Sequence, residues 1–200
     1  MQTWFRRCST LAGLALLTVA ATPAAAQKKA SLYGFLAGAD FTTIVSGDPD
    51  VTYKTSTGFV GGFFADIPVG TSLYIEPEFL YTNKGVNYEG ADLTANLNYI
   101  EIPVLARYEF SADGGPFAYA GPYVGFNVKC NVVVDTLPVP CDEVDGNPQP
   151  NTVFGGAVGI GYQKDKWGFD IRYEYDFTTA IKDEDGKNSA IMVLLRLVVN

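Results

Sequence analysis

The chain has 200 residues and is acidic, with 22 Asp and Glu against 14 Lys and Arg for a formal net charge of −8, and it contains no histidine. This acidity argues against nucleic-acid binding, which needs a basic patch. Without histidine, His-based acid–base and triad chemistry is impossible. The length suits one domain.

The N-terminal segment MQTWFRRCSTLAGLALLTVAATPAAAQ has the features of an export signal. Arg6 and Arg7 precede an apolar run and a small-residue AAA site before Gln27. The run is too short for a membrane-spanning helix, which needs roughly 20 apolar residues. We therefore predict that residues 1–26 are a cleaved secretory signal peptide, and that residues 27–200 form one domain. The mature chain then carries 12 basic and 22 acidic side chains, a net charge of −10.

The mature chain shows strand patterns and no convincing amphipathic helix. In WGFDIRYEYDF, residues 167–177, every second residue is apolar or aromatic and most residues between are charged. A period of two predicts a β-strand with two different faces. Eight strands are predicted near residues 31–43, 56–66, 72–83, 95–110, 117–129, 152–163, 167–179 and 189–199. The faces of the second strand stay unassigned.

Long and short connections alternate along the chain. Tight turns follow the second, fourth and sixth strands. Longer polar segments follow the first, third and fifth strands, at residues 44–55, 84–94 and 130–151. This alternation places the long loops at one end of an up-and-down meander. Eight antiparallel strands are expected to close into a barrel, which removes their edges.

Cys130 and Cys141 lie in the third long segment. They are an even pair in an exported protein, so we predict a disulfide between them. Two unpaired thiols are the alternative. The sequence has no Cys/His cluster that supports a zinc site, and we predict no metal and no cofactor.

The polar face of the strands is predicted to point into the barrel. It carries opposite charges and the glycines of the fifth and sixth strands, and small residues inside a narrow barrel make room for large ones. On a lipid face, each charge would cost roughly 2–4 kcal/mol near the membrane midplane. The predicted structural charge network of the interior comprises Glu76, Glu78, Glu101, Arg107, Glu109, Lys129, Asp170, Arg172, Glu174, Asp176 and Arg196.

The apolar face collects aromatic residues near strand ends. Aromatic girdles at the two membrane interfaces are typical of outer-membrane barrels. The predicted lipid-facing aromatics are Tyr33, Phe35, Phe79, Tyr81, Tyr108, Phe110, Trp167, Phe169, Tyr175 and Phe177. The sequence therefore predicts an all-β fold, an eight-stranded antiparallel up-and-down transmembrane β-barrel with a side-chain-filled polar interior.

Four segments, NYIEIPVLARYEF, AYAGPYVGFNV, GGAVGIGYQ and FDIRYEYDF, resemble successive strands of PorT-like outer-membrane β-barrel domains, which are eight-stranded like OmpX-type barrels. The resemblance covers nearly the whole mature chain. It implies residence in a Gram-negative outer membrane, with both termini periplasmic and the long loops outside. It supplies no catalytic residues. One departure is the C-terminus, where such barrels usually end in an aromatic residue and this chain ends LLRLVVN.

These features predict a small integral outer-membrane protein with a structural or surface-interaction role and no catalysis. Eight strands leave an interior filled by side chains, so substantial conductance is not expected. The expected surroundings are outer-membrane lipid. The long acidic loops suggest lipopolysaccharide with divalent cations, or a surface or periplasmic protein, as partners, although plain solubility also explains their charge. The alternative is a soluble periplasmic lipocalin-like barrel that binds an apolar ligand.

Overall fold

A computed structural model describes residues 30–46, 53–88, 93–111, 113–134, 137–144, 149–182 and 185–199. Almost all of the described chain is β-strand. The predicted signal peptide lies outside the described residues and stays a prediction. The strands are β1 Leu32–Val45, β2 Tyr53–Pro68, β3 Leu73–Tyr88, β4 Leu93–Glu109, β5 Gly115–Val134, β6 Leu137–Pro140, β7 Val153–Lys164, β8 Trp167–Asp176 and β9 Lys187–Val198, and a short 3-10 helix spans Cys141–Glu143.

Eight strands close into an antiparallel barrel. Around the wall the order is β1, β2, β3, β4, β5, β7, β8 and β9, and β9 pairs back with β1. Each strand has a hydrogen-bonded neighbour on both sides, so the barrel wall has no open edge along its paired length. The predicted eight-stranded up-and-down topology is confirmed.

The ninth strand corrects the prediction of a simple long loop at residues 130–151. Strand β5 continues to Val134, and β6 turns back along it with Leu137 opposite Val134. The part of this segment nearest the barrel is therefore a β-hairpin. The predicted loops at 44–55 and 84–94 are also shorter than expected, because β2, β3 and β4 extend beyond the apolar part of the pattern.

Polar cross-strand pairs explain these strand extensions. Asn83 donates to the side chain of Asn98 across 2.6 Å, and Thr94 donates to Asn87 across 2.7 Å. Side-chain hydrogen bonds of this kind stabilise opposed positions of a sheet without an apolar face. Strands β2 to β5 have 16 to 20 residues, whereas β7, β8 and β9 have 10 to 12, so one side of the barrel wall is taller.

Tight turns lie at one end of the barrel and longer connections at the other, as predicted. The turn between β7 and β8 consists of Asp165 and Lys166, and Asp165 adopts a left-handed φ of 53°. An aspartate tolerates this conformation better than most residues. At the opposite end, Ala180 and Ile181 of the β8–β9 connection are buried in one apolar cluster with Leu97 and Val153. None of the helices in the described part of the chain is long and apolar enough to cross a membrane.

Candidate functional site

The interior of the barrel contains many buried charged side chains. One group lies in the half nearer the tight turns, and we call it the arginine cluster. Arg172 binds Glu78 with two hydrogen bonds of 2.7 Å each, and Arg196 binds Glu76 at 3.1 and 2.6 Å. The members of the arginine cluster are Asp66, Glu76, Glu78, Arg107, Glu109, Asp170, Arg172 and Arg196.

The third arginine completes this cluster. One nitrogen of Arg107, Nη1, lies 3.1 Å from Asp66 and 3.0 Å from Glu109. All three guanidinium groups are fully buried. In the pairs made by Arg172 and Arg196, the planar guanidinium fork matches the carboxylate, so two parallel bonds form.

Aromatic rings separate the guanidinium groups. The guanidinium carbon of Arg107 lies 4.2 Å from the centre of the Phe117 ring, and that of Arg196 lies 4.2 Å from the centre of the Phe64 ring. Tyr119 donates to Asp170 and accepts from Arg172 Nε. Cation–π contacts add attraction to the ion pairs when water is excluded.

A second group lies in the half nearer the long connections, and we call it the lysine cluster. It comprises Asp40, Lys84, Glu101, Glu174 and Asp176, all buried. The Nζ atom of Lys84 lies 2.6 Å from Glu101 and 3.3 Å from Glu174. Four carboxyl groups thus surround one ammonium group. Glu174 also lies 3.5 Å from Arg172, which joins the two clusters.

Neutral donors hold the remaining carboxyl groups of the lysine cluster. Thr42 donates to Asp40 across 2.6 Å, and Asn188 donates to Asp176 across 2.7 Å. The Tyr123 hydroxyl also donates to Asp176. These contacts orient the two carboxyl groups.

Glycines of β7 make room for the interior rings. A Cβ atom added at Gly155 would collide with the Tyr123 ring, and one added at Gly159 would collide with the Tyr119 ring. Each tyrosine belongs to the opposed strand β5, so the missing side chain allows its ring to lie flat against the wall. The sequence analysis placed these glycines on the interior face, and the structure places them there.

The structure brings together all but one of the charged residues predicted for the interior. Lys129 is the exception, since its side chain is exposed on the outside. A β-bulge shifts the register between the pairs Asn98–Lys129 and Tyr99–Asn127, so the alternation of β5 changes by one residue. The interior position predicted for Lys129 is therefore wrong. That the remaining residues serve a structural role stays a prediction.

Sequence reasoning missed Asp40 and Asp66, and it left Lys84 out of the predicted network. Leu36, Gly38, Asp40 and Thr42 alternate on one face of β1, so the pattern could have revealed Asp40. Asp66 was missed because the apolar run around Gly61 and Gly62 shows no clear period of two, so the sequence did not assign the two faces of β2. The structure assigns Val60, Phe64 and Asp66 to the interior, and Phe59 and Phe63 to the outside.

The outer face of the barrel is apolar. Aromatic rings contact one another there, with Phe35 and Phe63 at 5.2 Å and Phe59 and Tyr81 at 5.6 Å between ring centres. Tyr81 and Tyr175 are half-buried by neighbouring side chains. The other aromatics predicted to face lipid are exposed on this face, namely Tyr33, Phe35, Phe79, Tyr108, Phe110, Trp167, Phe169 and Phe177. An apolar exterior around a charged interior does not favour the alternative of a soluble lipocalin-like barrel.

The β5–β6 hairpin carries the predicted disulfide. Cys130 and Cys141 are bonded, with 5.5 Å between their Cα atoms. The bond ties β5 to the residue that follows β6, at the base of the hairpin. Beyond it, Leu137 has 69% of its surface exposed. Of the acidic loop residues, Asp142, Glu143 and Asp185 are exposed, whereas Asp48, Asp50, Glu89, Asp92, Asp135, Asp145, Asp183 and Glu184 lie outside the described residues.

Within the described ranges, no group of three or more acidic or cysteine side chains could hold a metal ion. In both clusters, buried cations pair with buried carboxyl groups inside the barrel. This arrangement leaves the apolar outer face to contact lipid.

Comparisons with known proteins agree with this architecture. The family described as "Outer membrane protein beta-barrel domain" matches residues 25–182. No curated protein matches the chain in sequence. Among solved structures, Neisserial surface protein A (NspA) is similar at a TM-score of 0.54 and 14% identity, over 84% of this chain and 99% of that chain. This likeness shows the fold alone.

Two further solved structures are similar at lower scores. The attachment invasion locus protein Ail of Yersinia pestis, in complex with the heparin analogue sucrose octasulfate, has a TM-score of 0.48 and 13% identity, over 84% of this chain and 99% of that chain. OprG of Pseudomonas aeruginosa has a TM-score of 0.42 and 12% identity, over 84% of this chain and 91% of that chain. On the family match, the chain belongs to the outer membrane protein beta-barrel domain family and is an integral protein of the Gram-negative outer membrane.

Proposed function

We propose that this barrel is a non-catalytic surface protein and that its β5–β6 hairpin contacts a protein partner. The observation that carries the proposal is the Cys130–Cys141 disulfide, which closes the hairpin. The hairpin also lies on the taller side of the wall and exposes Leu137 at its end. A stiffened segment loses less conformational freedom on binding than a free loop, so it suits contact.

The filled interior supports a surface role over transport. Arg107, Arg172 and Arg196 are fully buried in ion pairs that occupy the barrel. The absence of histidine supports a role without catalysis. As a finer family assignment, we propose that the barrel is PorT-like, because four of its segments resemble strands of PorT-like barrels. Sharing a barrel does not transfer a role.

Replacing residues 131–140 with a short Gly/Ser turn tests the hairpin. We expect surface adhesion of cells, and capture of partners from detergent-solubilised envelope, to fall to the level of a strain without the protein. The C130S/C141S variant is a matched control that keeps the hairpin sequence, and we expect it to give intermediate capture. A heat-dependent shift in gel migration verifies that each barrel is folded. Unchanged adhesion and capture by a folded turn variant contradict the proposal.

Lipopolysaccharide bridged by divalent cations is the alternative partner of the acidic loops. Chelation with EDTA distinguishes the two partners, because cation bridges need the metal and side-chain contacts between proteins do not. We expect capture through the hairpin to survive EDTA. Capture that disappears with EDTA and returns with Mg²⁺ or Ca²⁺ supports lipopolysaccharide instead.

A further inference from the structure

The pairing of β6 with β5 determines which way its backbone groups point. Opposed pairs are Val134–Leu137, Val133–Pro138, Val132–Val139 and Asn131–Pro140. Proline has no backbone N–H, so Pro138 and Pro140 cannot donate to this ladder. Leu137 and Val139 are the residues of β6 that can donate. Because hydrogen-bonded and non-hydrogen-bonded pairs alternate in an antiparallel ladder, the backbones of Pro138 and Pro140 face away from β5.

The second edge of β6 therefore has an unusual composition. Within the part of the chain that the structure describes, β6 pairs with β5 alone. Its outward edge presents the carbonyl oxygens of Pro138 and Pro140 and no N–H group. An added strand needs donors and acceptors in alternation, and this edge supplies acceptors only. Pro140 also has φ −56° and ψ 144°, the polyproline II region, which turns the chain out of the strand.

The hairpin would otherwise favour association. Residues 131–134 of β5 pair with β4 on one side and with β6 on the other, so the free edge belongs to β6, where Leu137, Pro138 and Pro140 are exposed. An exposed strand with a free edge is a template for pairing with another chain. Every residue of β6 other than the two prolines has a backbone N–H group. The prolines alone therefore account for the missing donors on that edge.

We propose that Pro138 and Pro140 close the free edge of the hairpin to strand addition, so that a second copy of the chain cannot pair with it. A partner then contacts the hairpin through side chains such as that of Leu137, and backbone pairing plays no part. This second statement rests on the proposed function. The block on strand addition stands on the register and on the chemistry of proline.

The P138T/P140T variant tests the block, because threonine restores both N–H donors and favours strands. Purified protein in detergent micelles is analysed by native mass spectrometry at equal concentrations. We expect the wild type to be monomeric and the dimer fraction of the variant to rise about tenfold, since two further backbone hydrogen bonds are available at each edge. Hydrogen exchange is expected to show protection of the amides at positions 138 and 140.

The L137T variant is the matched control. It removes an exposed apolar side chain from the same strand, but its N–H already points to β5, so we expect a dimer fraction equal to that of the wild type. If the double variant does not fold, P138T alone restores one donor and is expected to give a rise of about threefold. Intact mass verifies the disulfide in each sample.

Three results overturn the proposal. They are a P138T/P140T variant that folds and stays as monomeric as the wild type, an equal rise for L137T, and a wild type that already dimerises through β6. These measurements need no partner. Failure of the hairpin replacement to reduce capture therefore contradicts the proposed function while leaving the test of the edge intact.

Discussion

The two halves of the barrel interior hold their charges in different ways. In the arginine cluster, three guanidinium groups each bind carboxylates, and two of them do so with a pair of hydrogen bonds. In the lysine cluster, the single ammonium group of Lys84 faces four carboxyl groups and directly contacts two of them. The first cluster shares its positive charge among several groups, whereas the second depends on one.

The difference shows what each cation can do in a closed space. A guanidinium group has five donors in a rigid plane, so it can satisfy carboxylates and stack on an aromatic ring at once. An ammonium group is a compact charge with three donors, and it sits where several strands supply carboxyl groups from different directions. Loss of a cation is therefore expected to be tolerated less well in the lysine cluster.

The largest effect is expected for K84M. The substitution removes the cation of four buried carboxyl groups, and within the described part of the chain Glu174 alone among them keeps another, Arg172 at 3.5 Å. Breaking a buried ion pair costs about 3–5 kcal/mol, so we expect a loss near 5 kcal/mol in the free energy of unfolding. Urea titration of the protein in phospholipid vesicles measures it. K84R, which keeps the charge, is expected to lose less than half as much. A loss for K84M smaller than that for R172M contradicts the comparison.

R172M comes next. It leaves Glu78 without its two hydrogen bonds, while Arg107 and Arg196 remain in the arginine cluster, so we expect a loss of about 3 kcal/mol. The E78Q/R172M double variant removes the stranded charge and is expected to recover at least half of that loss. A double variant as unstable as the sum of its two single variants shows that the pair is not coupled.

G159A is expected to cost about 2 kcal/mol, the usual penalty of inserting a methyl group into a packed interior. Its Cβ meets the Tyr119 ring, which holds Asp170 and Arg172. G156A is the control, since a Cβ at Gly156 points outward and meets only the edge of the Phe177 side chain. Equal unfolding midpoints for the two variants would contradict the packing of the ring on glycine.

D40N and D170N give the smallest effects and opposite signs. D40N replaces one of the four buried carboxyl groups around Lys84 with a neutral amide. It is expected to stabilise the protein by about 1 kcal/mol because burial disfavours a carboxylate, and asparagine can still accept from Thr42. Asp170 accepts from Tyr119 and lies 3.5 Å from Arg196, so D170N is expected to destabilise by about 1 kcal/mol. The same urea titration measures both free energies of unfolding. Changes of the same sign for D40N and D170N would contradict the predicted difference between the two clusters.

The alternation of polar and apolar residues was enough to predict most of the strands and their inner and outer faces. In β8, Asp170, Arg172 and Glu174 alternate with Phe169, Ile171 and Tyr173, and the structure places the first set inside and the second outside. The failure at Lys129 has a local cause. A bulge adds one residue to β5 opposite β4, and a period of two has no way to signal that extra residue.

Side-chain period and cysteine count are properties of the chain, so the sequence was enough to predict the barrel, the two faces of most of its strands and the Cys130–Cys141 disulfide. The sequence does not show which charges meet. Glu78 and Arg172 are 94 residues apart, and Glu76 and Arg196 are 120 apart, so their contacts depend on closure of the barrel and on its register. The edge of β6 is also a tertiary feature, since an N–H group matters there only once pairing has determined its direction.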